Sequence, residues 1–159
     1  MKKNTMCKTV LFPGSFNPFT IGHADIVERG LALFDKVVIA VGFNEQKAAE
    51  DANVCQDVQQ RVDAIATLYK DNSRVSVVAY SCLTVDAAKQ HNVCAILRSV
   101  RSVKDYEYEL QMADVNHRLS GIDTVVLFAR PELASISSSV VRELQHFGRD
   151  ISDYLPNQN

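Results

Sequence analysis

The stretch Phe12-Pro13-Gly14-Ser15-Phe16-Asn17-Pro18-Phe19-Thr20-Ile21-Gly22-His23 decides how this chain is read. Before it, Lys8 to Phe12 reads as a buried strand. After it, Ala24 to Phe34 carries Ile26, Val27, Gly30, Leu31 and Phe34 on one helical stripe. Two prolines and two glycines between strand and helix force a tight, specific loop. Such a loop offers free backbone N–H groups at the positive end of a helix dipole, which favours a phosphate. His23, at the helix start, is placed to hold a phosphoryl oxygen. The glycine spacing matches neither G-x-x-x-x-G-K-[ST] nor G-x-G-x-x-G.

Outward from this loop, short β-branched runs alternate with helical ones. Lys36 to Val41 carries an unbroken apolar run behind its lysine, as a strand covered on both sides does. Gly42 to Cys55 is polar and reads as an irregular, mobile loop. Gln56 to Tyr69 is a helix with Val58, Val62, Ile65 and Leu68 facing inward. Strands follow at Arg74 to Ala79, Val93 to Leu97 and Thr124 to Phe128. Helices are expected at Leu83 to His91, Asp105 to Leu119 and Ser137 to Phe147, with a closing turn at Ile151 to Leu155. Five strands joined by helical crossovers predict an α/β, Rossmann-like five-stranded parallel sheet with helices on both faces. Ligands then bind beyond the carboxyl ends of the strands.

Composition narrows the function classes. The 159 residues suit one domain spanning 1–159, and 47% hydrophobic residues suffice for a sizeable core. A net charge of −2 points to no polyanionic partner, so nucleic acid is not expected and any nucleotide must meet a local basic cluster. Cys7, Cys55, Cys82 and Cys94 show no C-x-x-C spacing, which indicates neither zinc nor a redox dithiol but reduced, mostly packed cysteines in a cytoplasmic protein. Lys2 and Lys3 have no apolar stretch of signal-peptide type behind them. No apolar run approaches the roughly 20 residues of a membrane span.

Several polar groups fall at strand ends. Arg98-Ser99-Val100-Arg101 follows the fourth strand, and two guanidinium groups there can converge on phosphates; a solvated surface pair is the plainer reading. Glu109, Met112 and Asn116 share one helix face and can line a pocket, although helical stripes are usually core. Ser137, Ser138 and Ser139 are ordinary helix caps or, with the free N–H groups, a triphosphate cradle. Lys47, after the second strand, is either a surface lysine or an ammonium that closes over reacting phosphates.

These residues carry a family resemblance. Gly14-Ser15-Phe16-Asn17-Pro18 with Thr20-Ile21-Gly22-His23 resembles the G-[ST]-F-D-P…[HT]-x-G-H signature of nucleotidyltransferases. Ile136-Ser137-Ser138-Ser139-Val140-Val141-Arg142 resembles their second signature, I-S-S-[ST]-x-x-[RK]. Asp105 to Asn116 is similar to the D-[FY]-E-x-E-x-x-[ML]-A-x-x-N run of bacterial phosphopantetheine adenylyltransferases. The resemblance covers Lys8 to Pro156. It implies transfer of the adenylyl group of ATP to 4′-phosphopantetheine, magnesium carried by the ATP phosphates, and a homohexamer.

By the same resemblance His23, Lys47 and Arg98 are catalytic. ATP falls to Ser15, Phe16, His23, Ser99, Val100, Arg101, Glu109, Leu133, Ala134, Ser135, Ile136, Ser137, Ser138 and Ser139. The acceptor falls to Ser15, Lys47, Thr84, Arg98, Met112 and Asn116, and no residue is assigned as a metal ligand. The chain departs from the pattern at Asn17 (usually aspartate), Ser99 (glycine), Leu133 (often tryptophan or tyrosine), Gln59-Gln60-Arg61 (Glu-Arg) and a longer segment from Ala48 to Cys55. A sibling transferase with another phosphate acceptor would share both signatures. A regulatory module that binds ATP without turnover is the remaining alternative.

Overall fold

In the computed structural model, which describes residues 8–157, the valine-rich runs form one five-stranded parallel sheet. Cys7 lies outside the described residues. The elements run β1 (Thr9–Gly14), α1 (Ile21–Leu33), β2 (Lys36–Gly42), α2 (Glu45–Glu50), α3 (Ala52–Leu68), β3 (Val75–Tyr80), α4 (Thr84–Gln90), β4 (Ala95–Val100), α5 (Val103–Ser120), β5 (Asp123–Phe128) and α6 (Ser138–His146). Short 3-10 turns occupy Pro131–Leu133 and Ser152–Tyr154. The strand order is β3-β2-β1-β4-β5, with every pair parallel. The chain moves from β1 to β3 in one direction, then returns to start again at β4. A crevice opens beyond the strand ends where that direction reverses.

Alternation along the strands sorts the core into two layers. Val10, Phe12, Val37, Ile39, Val41 and Leu97 pack with Ile26 and Val27 of α1 and Val58 and Ile65 of α3. Leu11, Val38, Ala40 and Ile96 pack on the other face against Val85, Ala87 and Ala88 of α4. One-residue alternation thus buries both sides of β1, β2 and β4, which is why these runs read as continuously apolar. Gly30 lets α1 approach closely: a Cβ there would sit 2.9 Å from Leu97 Cδ2.

Four expectations need correction. The segment from Gly42 to Cys55 is mostly helical. Asn44 Oδ1 accepts from the Lys47 N–H at 3.1 Å and Asp51 Oδ1 from the Asn53 N–H at 2.9 Å, so polar residues that read as loop cap α2 and α3. α1 starts at Ile21, ahead of Ala24, because Thr20 supplies its N-cap. β4 does not end at Leu97; Arg98, Ser99 and Val100 pair with Val126, Leu127 and Phe128 inside the sheet. The described cysteines are free but exposed, on α3 (Cys55) and in the segments before α4 (Cys82) and β4 (Cys94).

Candidate active site

The β1–α1 loop is held from outside by donors aimed at its carbonyl groups. Arg98 Nη1 donates to Pro13 O at 2.7 Å, and Ser138 Oγ to Pro18 O at 2.8 Å. Arg61 donates to Ser15 O and Arg142 to Asn17 O. These contacts come from α3, β4 and, twice, α6, so the loop is fixed by the fold and not by its own turn chemistry. Phe16 adopts a positive φ of 47°, and its buried ring lies against Gly14. A Cβ on Gly14 would fall 2.9 Å from that ring, so any larger residue there would displace it.

His23 is packed among Phe12, Phe16 and Phe19, with the Phe16 ring edge-on at 5.1 Å between centroids. Its Nδ1 accepts the Thr20 backbone N–H at 2.9 Å. A backbone N–H can only donate, so the neutral ring carries its proton on Nε2. Burial, followed by the positive charges of Arg101 and Arg98, pushes the His23 pKa down to about 4. The ring is therefore a neutral hydrogen-bond donor at neutral pH.

Arg98 leaves β4 and meets Glu109 of α5 in a two-pronged pair: Nε to Oε2 at 2.8 Å and Nη2 to Oε1 at 2.6 Å. Burial alone disfavours the guanidinium charge, but the hydrogen bonds and charge of Glu109 outweigh it and raise the pKa of Arg98. Glu109 is itself only 6% exposed. Its carboxylate is thus paired with Arg98 while the residue still lines the cavity where the sequence suggested a group facing ATP. The partner lies on a different element, which helix periodicity cannot reveal.

Two cavities meet at this pair. The larger, of 390 Å³, is lined by Ser15, Phe16, His23, Arg98, Ser99, Arg101, Glu109, Leu133, Ile136, Ser137, Ser138 and Ser139. The smaller, of 180 Å³, is lined by Thr84, Met112 and Asn116 together with Arg98 and Glu109. Pro13, Arg98, Tyr108 and Glu109 border both. Val100, Ala134, Ser135 and Lys47 line neither. Val100 is buried in β4, and its carbonyl accepts the Ala129 N–H at 2.9 Å. Lys47 is exposed on α2.

Sequence reasoning passed over Tyr108, Arg142, Tyr80 and Thr124. Tyr108 precedes Met112 by one helical turn, a usable signal. Arg142 closes the second signature and reaches Asn17 O. Tyr80 and Thr124 are visible only once β3 and β5 flank the smaller cavity. Thr124 Oγ1 is buried there without a hydrogen-bond partner.

Residues 11–144 match the Cytidylyltransferase-like family. A phosphopantetheine adenylyltransferase of Porphyromonas gingivalis is 51% identical over 156 residues, covering 98% of this chain and 96% of the relative. One from Bacteroides thetaiotaomicron is 46% identical over 149 residues, covering 94% and 95%. The chain belongs to the phosphopantetheine adenylyltransferase family. A Francisella tularensis subsp. mediasiatica member of the family is 40% identical over 153 residues, covering 95% of this chain and 91% of its own. Among solved structures, a bifunctional NMN adenylyltransferase/ADP ribose pyrophosphatase from Francisella tularensis superposes with a TM-score of 0.66 at 15% identity, over 97% of this chain and 46% of that one. A lipopolysaccharide core biosynthesis protein from Thermoplasma volcanium gives a TM-score of 0.54 at 16% identity, over 78% and 97%. At such identities these two speak to the fold alone.

Proposed function

We propose that this chain joins the AMP part of ATP to 4′-phosphopantetheine, giving 3′-dephospho-coenzyme A and pyrophosphate. The observation that carries the reading is the pair of adjoining cavities with one wall in common. One has a helix start with its three serines, His23 and three arginines (Arg98, Arg101 and Arg142), which suits a nucleoside triphosphate. The other is narrow and mixed, with Tyr80, Thr84, Met112 and Asn116, which suits an amide-bearing arm. Arg98 and Pro13 stand where the two substrates meet.

In this reading a phosphate oxygen of the acceptor attacks the α-phosphorus of ATP. The bond from that phosphorus to the bridging oxygen breaks, and pyrophosphate leaves with the electron pair. No covalent enzyme intermediate is needed. Catalysis is positioning plus stabilisation of charge on the phosphoryl oxygens. His23 Nε2–H donates to an α-phosphoryl oxygen as negative charge gathers there. Two N–H bonds of Arg98 remain after its three contacts to Glu109 and Pro13, and these face the acceptor phosphate. Ser137 to Ser139 and the α6 N-terminus receive the outer phosphates. Leu133 flanks the base, and Lys47 reaches the phosphates only when α2 moves inward.

Magnesium enters with ATP in this proposal. Among the described residues no group of three or more His, Cys, Asp or Glu converges on a metal position. The carboxylates of the larger cavity, Asp105 and Glu109, are each tied to an arginine. Among the described residues none forms a cage for the ion. A homohexamer is proposed on the strength of the resemblance, and apolar side chains left exposed on α5 (Val103, Tyr106, Leu110, Leu119) and Phe128 support an assembled state. Cytoplasmic residence is likewise proposed; among the described residues no helix is long and apolar enough to cross a membrane.

The test is pyrophosphate release from ATP and magnesium with 4′-phosphopantetheine, nicotinate mononucleotide or glycerol phosphate in parallel (CTP replacing ATP for the last). Release with 4′-phosphopantetheine alone is expected. Release with either of the others discards the acceptor assignment. ATP binding without release under any condition favours a regulatory module.

A further inference from the structure

One wall of the larger cavity has little structure of its own. Ala129, Leu133 and Ile136 line it, and only the short turn Pro131–Leu133 between them is regular. Beyond the far end of this segment, Ser138 and Arg142 reach the β1–α1 loop. At its near end the Arg130 side chain is held by a carboxylate on α1. Asp25 Oδ1 lies 2.6 Å from Arg130 Nε, and Asp25 Oδ2 lies 3.1 Å from Arg29 Nη1. The same Arg29 nitrogen donates to Phe128 O, at the end of β5, at 2.8 Å. The Asp25 side chain is only 10% exposed, whereas that of Arg130 is 51% exposed.

Asp25, Arg29 and Arg130 do not line the cavity, so ATP bound there would not touch them. The sheet does not need them either. β5 is already paired with β4, and the Ala129 N–H is already bonded to Val100 O. What the cluster does is relate two parts of the site. Asp25 sits two residues beyond His23 on the same helix. Arg130 opens the segment that forms the opposite wall.

We infer that Asp25 is a positioning residue: through Arg130 and Arg29 it sets the gap between the His23 helix and the wall that receives the nucleoside end of ATP. This rests on the proposed reading of the larger cavity as the nucleotide site. A carboxylate accepting from two guanidinium groups fixes both direction and distance. Releasing it lets residues 130–136 drift while the phosphate loop, held by Arg61, Arg98 and Arg142, stays in place. The consequence is selective for the nucleotide.

The experiment compares the wild type, Arg130→Gln, Arg130→Lys and Asp25→Asn by calorimetric ATP binding with magnesium, by KM for each substrate and by thermal melting. Arg130→Gln is expected to weaken ATP binding and raise its KM roughly fivefold, the worth of about 1 kcal/mol for a partly exposed pair. The KM for 4′-phosphopantetheine and the melting temperature stay unchanged. Arg130→Lys recovers part of the loss. Asp25→Asn, which frees both arginines, loses more, and adding Arg130→Gln to it costs nothing further. Unchanged ATP affinity in both Arg130→Gln and Asp25→Asn overturns the inference. So does an equal rise in both KM values with a parallel drop in melting temperature, the mark of a plain structural staple. Calorimetry needs no acceptor. If the wild type binds ATP yet releases no pyrophosphate with 4′-phosphopantetheine, the acceptor assignment fails and the clamp is still tested.

Discussion

Two segments leave the carboxyl ends of neighbouring parallel strands and are built in opposite ways. The β1–α1 loop has the Pro13, Ser15, Asn17 and Pro18 carbonyls each bonded to a side chain from elsewhere in the fold. The α2 segment after β2 has one buried residue, Ala48, and is tied down by Ser81 Oγ to Glu45 Oε2 at 3.3 Å and Cys55 Sγ to Ala48 O at 3.6 Å. A group that must stabilise charge at a fixed point gains from rigidity, because no reorganisation is then needed at the moment of reaction. A group that closes after substrate binding gains from weak tethering. His23 sits in the first segment and Lys47 in the second.

The contrast can be broken at its strongest point first. Glu109→Leu leaves the Arg98 guanidinium without its partner; a destabilisation of about 3 kcal/mol is expected, near the lower end for such pairs because the Arg98 side chain keeps 29% of its surface. Urea unfolding measures it. A loss no larger than that of an exposed substitution would mean that the rigid segment does not depend on the pair. Next, His23→Ala is expected to lower kcat roughly 10²–10³-fold with little change in either KM, as for removal of one donor to a developing oxyanion. Parallel losses in kcat and both KM values would reduce His23 to a binding or folding residue.

Lys47→Ala sharpens the other half of the comparison. We expect kcat to fall roughly 10- to 100-fold, the value of one charge-assisted hydrogen bond. Thermal stability should hold, since Lys47 is exposed. A clear drop in melting temperature would show that α2 is part of the rigid frame. The smallest effect is a pH dependence. The folded-state pKa of His23 is about 4, below the ordinary 6.5, so between those values the unfolded chain binds the extra proton and folding stability falls as pH falls. The loss is on the order of 1 kcal/mol between pH 7 and pH 5.5. His23→Gln should flatten that part of the stability profile, and an unaltered slope would place the titration elsewhere.

Much of this was legible in advance because it is local. The apolar strand runs, the stripe of Ile26, Val27 and Gly30, and the serines at the α6 start are all set by neighbours in sequence, and each lies in the element expected for it. Gly42 to Cys55 was misread because composition does not distinguish polar loop residues from polar caps. Asn44 and Asp51 have the chemistry of both. The Arg98–Glu109 pair was hidden for a different reason. Each residue alone suits a phosphate or ribose contact, and only the packing of α5 beside β4 turns one onto the other.

The sequence by itself determined the parallel α/β class and the tight loop between β1 and α1, because these depend on residue type at short, regular spacings, and the resemblance of its two signatures pointed to the family. The tertiary structure alone decided the tautomer of His23, the pairing of Glu109 with Arg98 and the Asp25 clamp on Arg130. These depend on which groups face one another across elements far apart in the chain. Burial then sets the cost of leaving any of them unpaired.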